Sequence, residues 1–381
     1  MTKKIKHILF VMPQYEIGGI TISLYSLLSN IDTKRIHADV FAAPLGPYKG
    51  KMPNCRELPE NVWLSYPMVH GSWAKRCFQC LAYGIRYILS KIGINILPFI
   101  HWIGGKSLHS DRYDAVVCFS EGQAYSVSSF PAKKKIQWIH CDYRRHLACN
   151  NPKHEYYAFQ RYDKVVCVSD YGKKVFSEIY PEFAHKTIAI HNIIDVENIK
   201  AKAREVSNID ERFNTDSFTI VSCGRLDPVK QFSKIPEIAF KIKSMTECEF
   251  RWYIIGGGFE EEQLRIEEEI NRLNLANAVI LLGPKTNVYP YLANANLYVC
   301  TSQSESFPLV VNEAKALSIP IISNDFPSVY ESVEDGVDGY ITTIDDMPVK
   351  IAEFMESPLK IMPDRIDNQA SLDAIYKLFE V

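Results

Sequence analysis

Phe218-Thr-Ile-Val-Ser-Cys-Gly-Arg-Leu-Asp-Pro-Val-Lys230 decides how the rest of the chain is read. Its first six residues carry no charge and are apolar or small, as in a strand buried on both faces. Gly224 ends the run, and apolar residues then recur at helical spacing at Phe232, Ile235, Ala239 and Ile242. Towards the N-terminus, residues 197–216 are polar, show no strand signal and read as a linker plus a short helix. Before them, strand-like runs at Ile8–Met12, Asp39–Ala42, Ala115–Phe119, Ile136–Ile139, Val165–Val168 and Thr187–Ile190 alternate with helical periods. The first of those periods (Ile20, Leu24, Leu27, Leu28) follows Gly18-Gly19. Towards the C-terminus the strands continue at Trp252–Ile255, Val279–Leu282, Leu297–Cys300 and Ile319–Ile322, with a helix carried by Ile266, Ile270 and Leu273. Strand and helix thus alternate through two series, which predicts an α/β chain of two doubly wound domains, 1–195 and 196–361. Residues 362–381 carry a helical period (Leu372, Ile375, Leu378, Phe379) without a strand and are expected to pack back on the first domain. Doubly wound sheets take ligands at the carboxyl ends of their strands, so two of them face to face would form one cleft.

The composition fits two cores. A chain of 381 residues, 47% hydrophobic and 23% charged, is long enough to bury both and is too apolar for a disordered chain. A net charge of −2 gives no support to nucleic-acid binding. The basic residues before Ile8–Met12 resemble a signal peptide, but the apolar run is short and Pro13 follows, so a first strand is the better reading. Cys118, Cys167, Cys223 and Cys300 sit in apolar runs and read as core residues of a reducing compartment. Cys77-x-x-Cys80 has no partner pair and makes a poor metal site. No run reaches the roughly 18 apolar residues of a membrane span. Residues 71–110 hold Lys75, Arg76, Arg86, Lys91 and Lys106, no acid, and Trp73, Phe78, Tyr83, Phe99 and Trp102 among others. Such a basic aromatic stretch suits an anionic membrane surface, and equally a helical insertion with solvated charges.

Two loops carry the chemistry. In Cys300-Thr-Ser-Gln-Ser-Glu305-Ser-Phe-Pro-Leu-Val-Val-Asn-Glu313 a strand ends, a polar loop follows, and a helix is expected to start with Pro308 in its first turn. The N–H groups of Phe307, Leu309 and Val310 would then offer an anion seat, with Glu305 and Glu313 accepting sugar hydroxyls on either side. In Gly224-Arg225-Leu226-Asp-Pro-Val-Lys230, Gly224 permits close backbone approach, and Arg225 and Lys230 supply the two cations that a departing diphosphate needs. Gly256-Gly-Gly258 lacks the spacing of a dinucleotide loop and reads as a strand-to-helix turn. No Asp-x-Asp occurs in the chain, so the two cations are expected to do the work of a metal; neither metal nor other cofactor is expected.

These residues resemble the retaining GT-B glycosyltransferases of family 4, enzymes built of two Rossmann-like domains facing across a cleft. Glu305 and Glu313 match the family's Glu-x7-Glu pair, and Gly224, Arg225, Leu226 and Lys230 match its Gly-Arg-Leu…Lys element. The resemblance implies that Glu305 contacts donor-sugar hydroxyls and Glu313 the ribose, with Arg225, Lys230 and the backbone at Phe307–Leu309 on the diphosphate. Ser306 stands where many members have Gly. Gly18 and Gly19 resemble the family's glycine loop over the donor, although Ile20-Thr21 departs from its usual continuation and leaves acceptor contacts there weak. His140, in Trp138-Ile-His-Cys-Asp-Tyr143, matches the family's active-site His beside the donor sugar. Glu121 ends a strand and is a weak candidate for the acceptor, while Ser169 and Asp170 read as helix caps.

The function expected is therefore that of a hexosyltransferase, moving a sugar with retention from a nucleotide-diphosphate sugar, by the family's habit UDP-linked. The acceptor would be a glycan or lipid-linked glycan in surface-polysaccharide (capsule-type) synthesis, reached from the cytoplasm or peripherally at the inner face of the membrane. A nucleotide-sugar epimerase or hydrolase on the same fold, or a silent nucleotide-sugar-binding module, would carry many of the same residues. An NAD-dependent dehydrogenase is disfavoured, because neither half holds Gly-x-Gly-x-x-Gly with a downstream acid.

Overall fold

The computed structural model describes residues 5–12, 18–42, 52–58, 89, 91, 95–149, 155–205, 209–358 and 366–380. The chain divides into two compact units, Met1–Ile193 with Gln369–Val381, and Ile194–Asn368. The join thus falls two residues before the expected boundary, and 366–368 stay with the second unit.

The first unit is built on seven strands: β1 (Lys6–Met12), β2 (Ile36–Ala42), β3 (Cys55–Glu57), β4 (Ala115–Cys118), β5 (Lys135–Ile139), β6 (Lys164–Cys167) and β7 (Thr187–Ala189). All pair in parallel in the order β3-β2-β1-β4-β5-β6-β7. Helix α1 (Gly19–Asn30) follows β1, and α2 (Leu97–Ser107) precedes β4. The second unit carries β8 (Phe218–Cys223), β9 (Phe250–Ile255), β10 (Val279–Gly283), β11 (Leu297–Cys300), β12 (Ile321–Asn324) and β13 (Gly339–Thr342), parallel in the order β10-β9-β8-β11-β12-β13. Helix α3 (Leu309–Ala316) follows β11.

Alternate residues of these strands serve opposite faces. Ile220, Trp252, Ile254, Leu297 and Val299 enter one core, whereas Val221, Tyr253, Ile255, Tyr298 and Cys300 enter the other. Both faces are covered, which is why the runs read as continuously apolar. In each sheet the strand order reverses beside the first strand, between β1 and β4 and between β8 and β11. That reversal lets the loops after the two neighbouring strands diverge to opposite faces and opens a ligand crevice at their carboxyl ends.

Helix α4 (Gln369–Phe379) returns to the first unit. The Asp32 N–H donates to the Tyr376 hydroxyl at 2.9 Å, the Lys134 ammonium donates to the Leu378 carbonyl at 2.8 Å, and Phe379 meets Phe10 edge to face. Two strands had no sequence signal. β3 is three residues, Cys-Arg-Glu, at a sheet edge, too short and polar to show an apolar run. β13 opens on Gly339, where a Cβ would lie 2.0 Å from the Ile321 carbonyl oxygen, so the strand can approach β12 only with glycine there.

Candidate functional site

β8 and β11 are neighbours at the second reversal point, so the two charged loops leave the sheet side by side. They are also tied together. The Thr301 hydroxyl donates to the Lys230 carbonyl at 2.6 Å, and the Gln303 N–H donates to the Val229 carbonyl at 2.7 Å. Across this seam the Lys230 ammonium donates to Glu305 Oε1, which also accepts from the Ser302 hydroxyl at 2.7 Å. The Ser328 hydroxyl holds the Glu305 carbonyl at 2.7 Å, and the Asn324 amide holds the Ser302 carbonyl at 3.0 Å. Glu305 is therefore fixed on both backbone and side chain. Burial alone would pull the Lys230 pKa down, but the charge and hydrogen bond of Glu305 more than offset it, and the ammonium is held above its ordinary value.

Arg225 extends from the same loop with 70% of its side chain exposed, its Nη2 donating to Asp227 at 3.1 Å. Asp227 also accepts from the Val229 N–H at 3.0 Å and so caps the turn that carries Lys230. The loop rests on the triple glycine. A Cβ on Gly256 would sit 1.8 Å from the Gly224 carbonyl oxygen, and one on Gly258 would sit 2.5 Å from that of Leu226. The Leu226 N–H donates to the Gly257 carbonyl at 2.9 Å, and the Phe259 N–H donates to the Leu226 carbonyl at 2.9 Å. Gly256-Gly-Gly258 is thus a bed for the cationic loop as well as a turn into the helix after β9.

Glu313 lies in α3, fully buried, where it accepts from the Tyr289 hydroxyl at 3.1 Å. Burial pushes its carboxyl up to about 7, against the downward pull of Tyr289 and Lys202. Pro308 differs from expectation. It caps α3 from outside with ψ 87°, and helical geometry begins at Leu309. The Pro308 carbonyl then accepts from the Asn312 N–H and side-chain amide, which fixes the start of the helix. Pro308 itself has no side-chain acceptor with which to cap that start. Phe307, Leu309 and Val310 pack half-buried against the core under β11, and Ser306 is buried. Sequence reasoning missed Tyr289, Ser302, Asn324 and Ser328; the clustered Ser and Thr of the polar loop were the available signal.

In the first unit, Gly18 is extended and caps α1, Gly19 is exposed and Ile20 is half-buried; residues 13–17 of that loop lie outside the described residues. His140 follows β5. Its ring is enclosed against Phe119 with centroids 4.6 Å apart, and burial pushes its pKa down to about 4. Its Nε2 has no hydrogen-bond partner among the described residues. Glu121 needs correction. It was expected to face an acceptor, but it is only 6% exposed, and its Oε1 accepts from the backbone N–H groups of His140 and of Cys141, the latter at 2.8 Å. Two otherwise unpaired amides turn the carboxyl inward. Ser169 caps the helix Asp170–Ile179 through the Gly172 N–H at 2.9 Å.

Of the basic aromatic stretch, Cys77 and Cys80 and most residues up to 94 lie outside the described residues. Within it, α2 exposes 62% of Phe99 and 43% of Trp102, stacked at 6.1 Å, and Lys106 pairs with Asp111 at 2.8 Å. Among the described residues no helix is long and apolar enough to cross a membrane.

Residues 203–372 match the family model described as glycosyl transferases group 1. Over 139 residues, 36% of this chain and 35% of the relative, it is 31% identical to the N-acetylgalactosamine-N,N'-diacetylbacillosaminyl-diphospho-undecaprenol 4-alpha-N-acetylgalactosaminyltransferase of Campylobacter jejuni subsp. jejuni serotype O:2. Over 229 residues, 59% of this chain and 57% of the relative, it is 23% identical to the UDP-Gal:alpha-D-GlcNAc-diphosphoundecaprenol alpha-1,3-galactosyltransferase of Escherichia coli. An uncharacterized glycosyltransferase of Methanocaldococcus jannaschii is 29% identical over 173 residues, 44% of this chain and 41% of that protein. The chain thus spans between about a third and somewhat over half the length of these relatives. The fold is shared along nearly the whole chain with Anabaena HepE, solved in complex with UDP and glucose, at a TM-score of 0.71 and 17% identity, covering 98% of this chain and 99% of that one. The two parallel Rossmann-like sheets are those of the GT-B class.

Proposed function

We propose that this chain is a retaining glycosyltransferase that moves a hexose-type sugar from a UDP-sugar to a lipid-linked glycan in surface-polysaccharide synthesis, working at an anionic membrane face. The observation that carries the reading is the Lys230–Glu305 pair, locked at the carboxyl ends of β8 and β11 with Arg225 on the same loop and Glu313 in the helix that follows. This is a cation pair flanked by two acids, set where a doubly wound sheet takes its ligand. The second unit holds the donor. Arg225 and Lys230 take the diphosphate, Glu305 the sugar hydroxyls and Glu313 the ribose. As the bond between the sugar's anomeric carbon and the β-phosphate oxygen breaks, negative charge grows on that oxygen beside the two cations, which stabilise it with no metal required. The acceptor hydroxyl attacks from the same face, and its proton passes to the departing phosphate. UDP, as donor carrier, is supported by the UDP complex of the HepE fold relative, and the lipid-linked acceptor by the names of the two undecaprenol-diphosphate relatives.

The test begins with thermal stabilisation across a panel of nucleotide sugars, followed by turnover. Lys230→Ala should lower kcat by about 100-fold or more. Near-normal turnover in that variant sinks the scheme. Conversion of the donor to an epimer or to free sugar, with no transfer to any lipid-linked glycan, points to the epimerase or hydrolase instead.

A further inference from the structure

Between β4 and β5, the loop after one strand is tied to its neighbour and to the turn that follows it at three places. The Phe119 ring lies against the His140 ring. The Gln137 amide, fully buried on β5, donates to the Ser120 carbonyl at 3.0 Å and to the Trp138 carbonyl at 2.9 Å. Glu121 Oε1 closes the grip by accepting from the N–H groups of both His140 and Cys141. These two amides follow the last strand residue, where the ladder to the next strand has run out, so nothing in the sheet would otherwise fix their direction. What the grip holds still is an imidazole whose Nε2 is buried and has no partner among the described residues. A buried polar atom left open in this way costs free energy unless something arrives to pair with it.

We propose that Glu121 is the positioning residue for His140: by clamping the backbone of the turn that carries it, Glu121 fixes the ring so that its unpaired Nε2 can pair with a sugar hydroxyl. This rests on the proposed glycosyl transfer and on the family resemblance that matches His140 to an active-site histidine beside the donor sugar. Glu121 itself touches no substrate, because its carboxyl is turned inward onto the two amides. The neighbouring acid, Glu155, cannot take over, since its carboxyl already accepts from the Tyr143 hydroxyl and meets His146 Nε2 at 3.0 Å. The clamp needs an acceptor oxygen at a fixed reach more than it needs a negative charge. Glutamine preserves that oxygen and that reach; aspartate keeps the charge and withdraws the oxygen by one methylene.

The experiment compares Glu121→Gln, Glu121→Asp, Glu121→Ala and His140→Ala, each alone, and the double variant Glu121→Ala/His140→Ala. Turnover is followed as UDP release, in the presence of an undecaprenyl-diphosphate-linked sugar as acceptor, from whichever of UDP-glucose, UDP-galactose, UDP-N-acetylglucosamine and UDP-N-acetylgalactosamine most raises the Tm. The inference expects Glu121→Gln within about 3-fold of the parent and Glu121→Asp down by roughly 10-fold or more in kcat at little-changed donor KM. It expects the double variant to lie no more than about 3-fold below the worse single one, because residues acting as a unit are not additive. Full multiplication of the two single effects, or normal turnover in Glu121→Asp, overturns it. Should Glu121→Ala not fold, Glu121→Asp takes its place in the double variant. A second readout needs no turnover. In the ring spectra of 13C-histidine protein, with the His140 signal identified by its loss in His140→Ala, Glu121→Gln should leave that signal in place and Glu121→Asp should shift or broaden it. An unmoved signal in Glu121→Asp refutes the clamp. A moved signal in a chain that releases UDP from none of the four donors upholds the clamp and refutes the proposed reaction.

Discussion

Glu313 shows how much one residue's surroundings decide. An acid in an exposed helix would be ionised throughout the neutral range, but this one is buried and pushed up to about 7, with the Tyr289 hydroxyl and the charge of Lys202 drawing it back. If it receives ribose hydroxyls, it does so best as the carboxylate, so UDP-sugar binding should weaken as pH falls from about 8 to about 6. Calorimetric Kd values across that range check this, and Glu313→Gln should flatten the dependence; an equally steep profile in that variant would assign it to another group. The effect on folding has the opposite sign. Between its ordinary 4.5 and about 7 the folded state keeps a proton that the unfolded chain has lost, so this group's contribution to stability falls as pH rises through that window. The spacing of Glu305 and Glu313 was legible in the sequence because both follow one strand. The inward turn of Glu121 was not, because its partners His140 and Cys141 lie in the turn after the neighbouring strand, and their closeness exists only once β4 and β5 have paired.

At the scale of elements, the bed of three glycines and the cationic loop form one piece. Gly256→Ala would drive a Cβ into the Gly224 carbonyl oxygen at 1.8 Å, and its three nearest neighbours are all backbone atoms of Gly224, which cannot give way as a flexible side chain would. The loop must shift, and with it Arg225 and Lys230. We expect a loss of about 2–4 kcal/mol in stability, read by denaturant unfolding, together with weaker UDP binding. Gly257→Ala is the control. The three heavy atoms nearest its Cβ would be Pro284 side-chain atoms at 3.4 to 3.6 Å, an ordinary contact distance, and both properties should stay near the parent's. The strands themselves were readable where they are buried on both faces, because β-branched and aromatic runs such as Phe218–Cys223 leave little else to choose. Edge strands escaped, since β3 is polar and β13 is shaped by contact with β12 and shows little local preference. The start of α3 was misplaced by one residue for a related reason, since proline suits the cap and the first turn alike.

At the scale of the whole molecule, alternation of strand and helix was enough to count two doubly wound units, but not to order their strands. Order follows from which strand is laid beside which, and only that order brings β8 next to β11 and the two charged loops together. The first unit is assembled from two distant stretches, Met1–Ile193 and Gln369–Val381. Ile375, Leu378 and Phe379 of α4 are buried there, so ending the chain after Asn368 should expose an apolar stripe on the first unit. Such a truncation is expected to lower the first unit's resistance to heat and proteolysis while leaving the second unit's peptides protected, as limited digestion followed by mass spectrometry would read out. Synthesis on the ribosome meets the same geometry in time. The sheet of the first unit emerges early, yet the helix that covers Phe10 is translated only after all of Ile194–Asn368. A half-finished chain therefore carries an open hydrophobic groove for as long as its entire second unit takes to be made, and a pause late in translation would lengthen the exposure of the part made first.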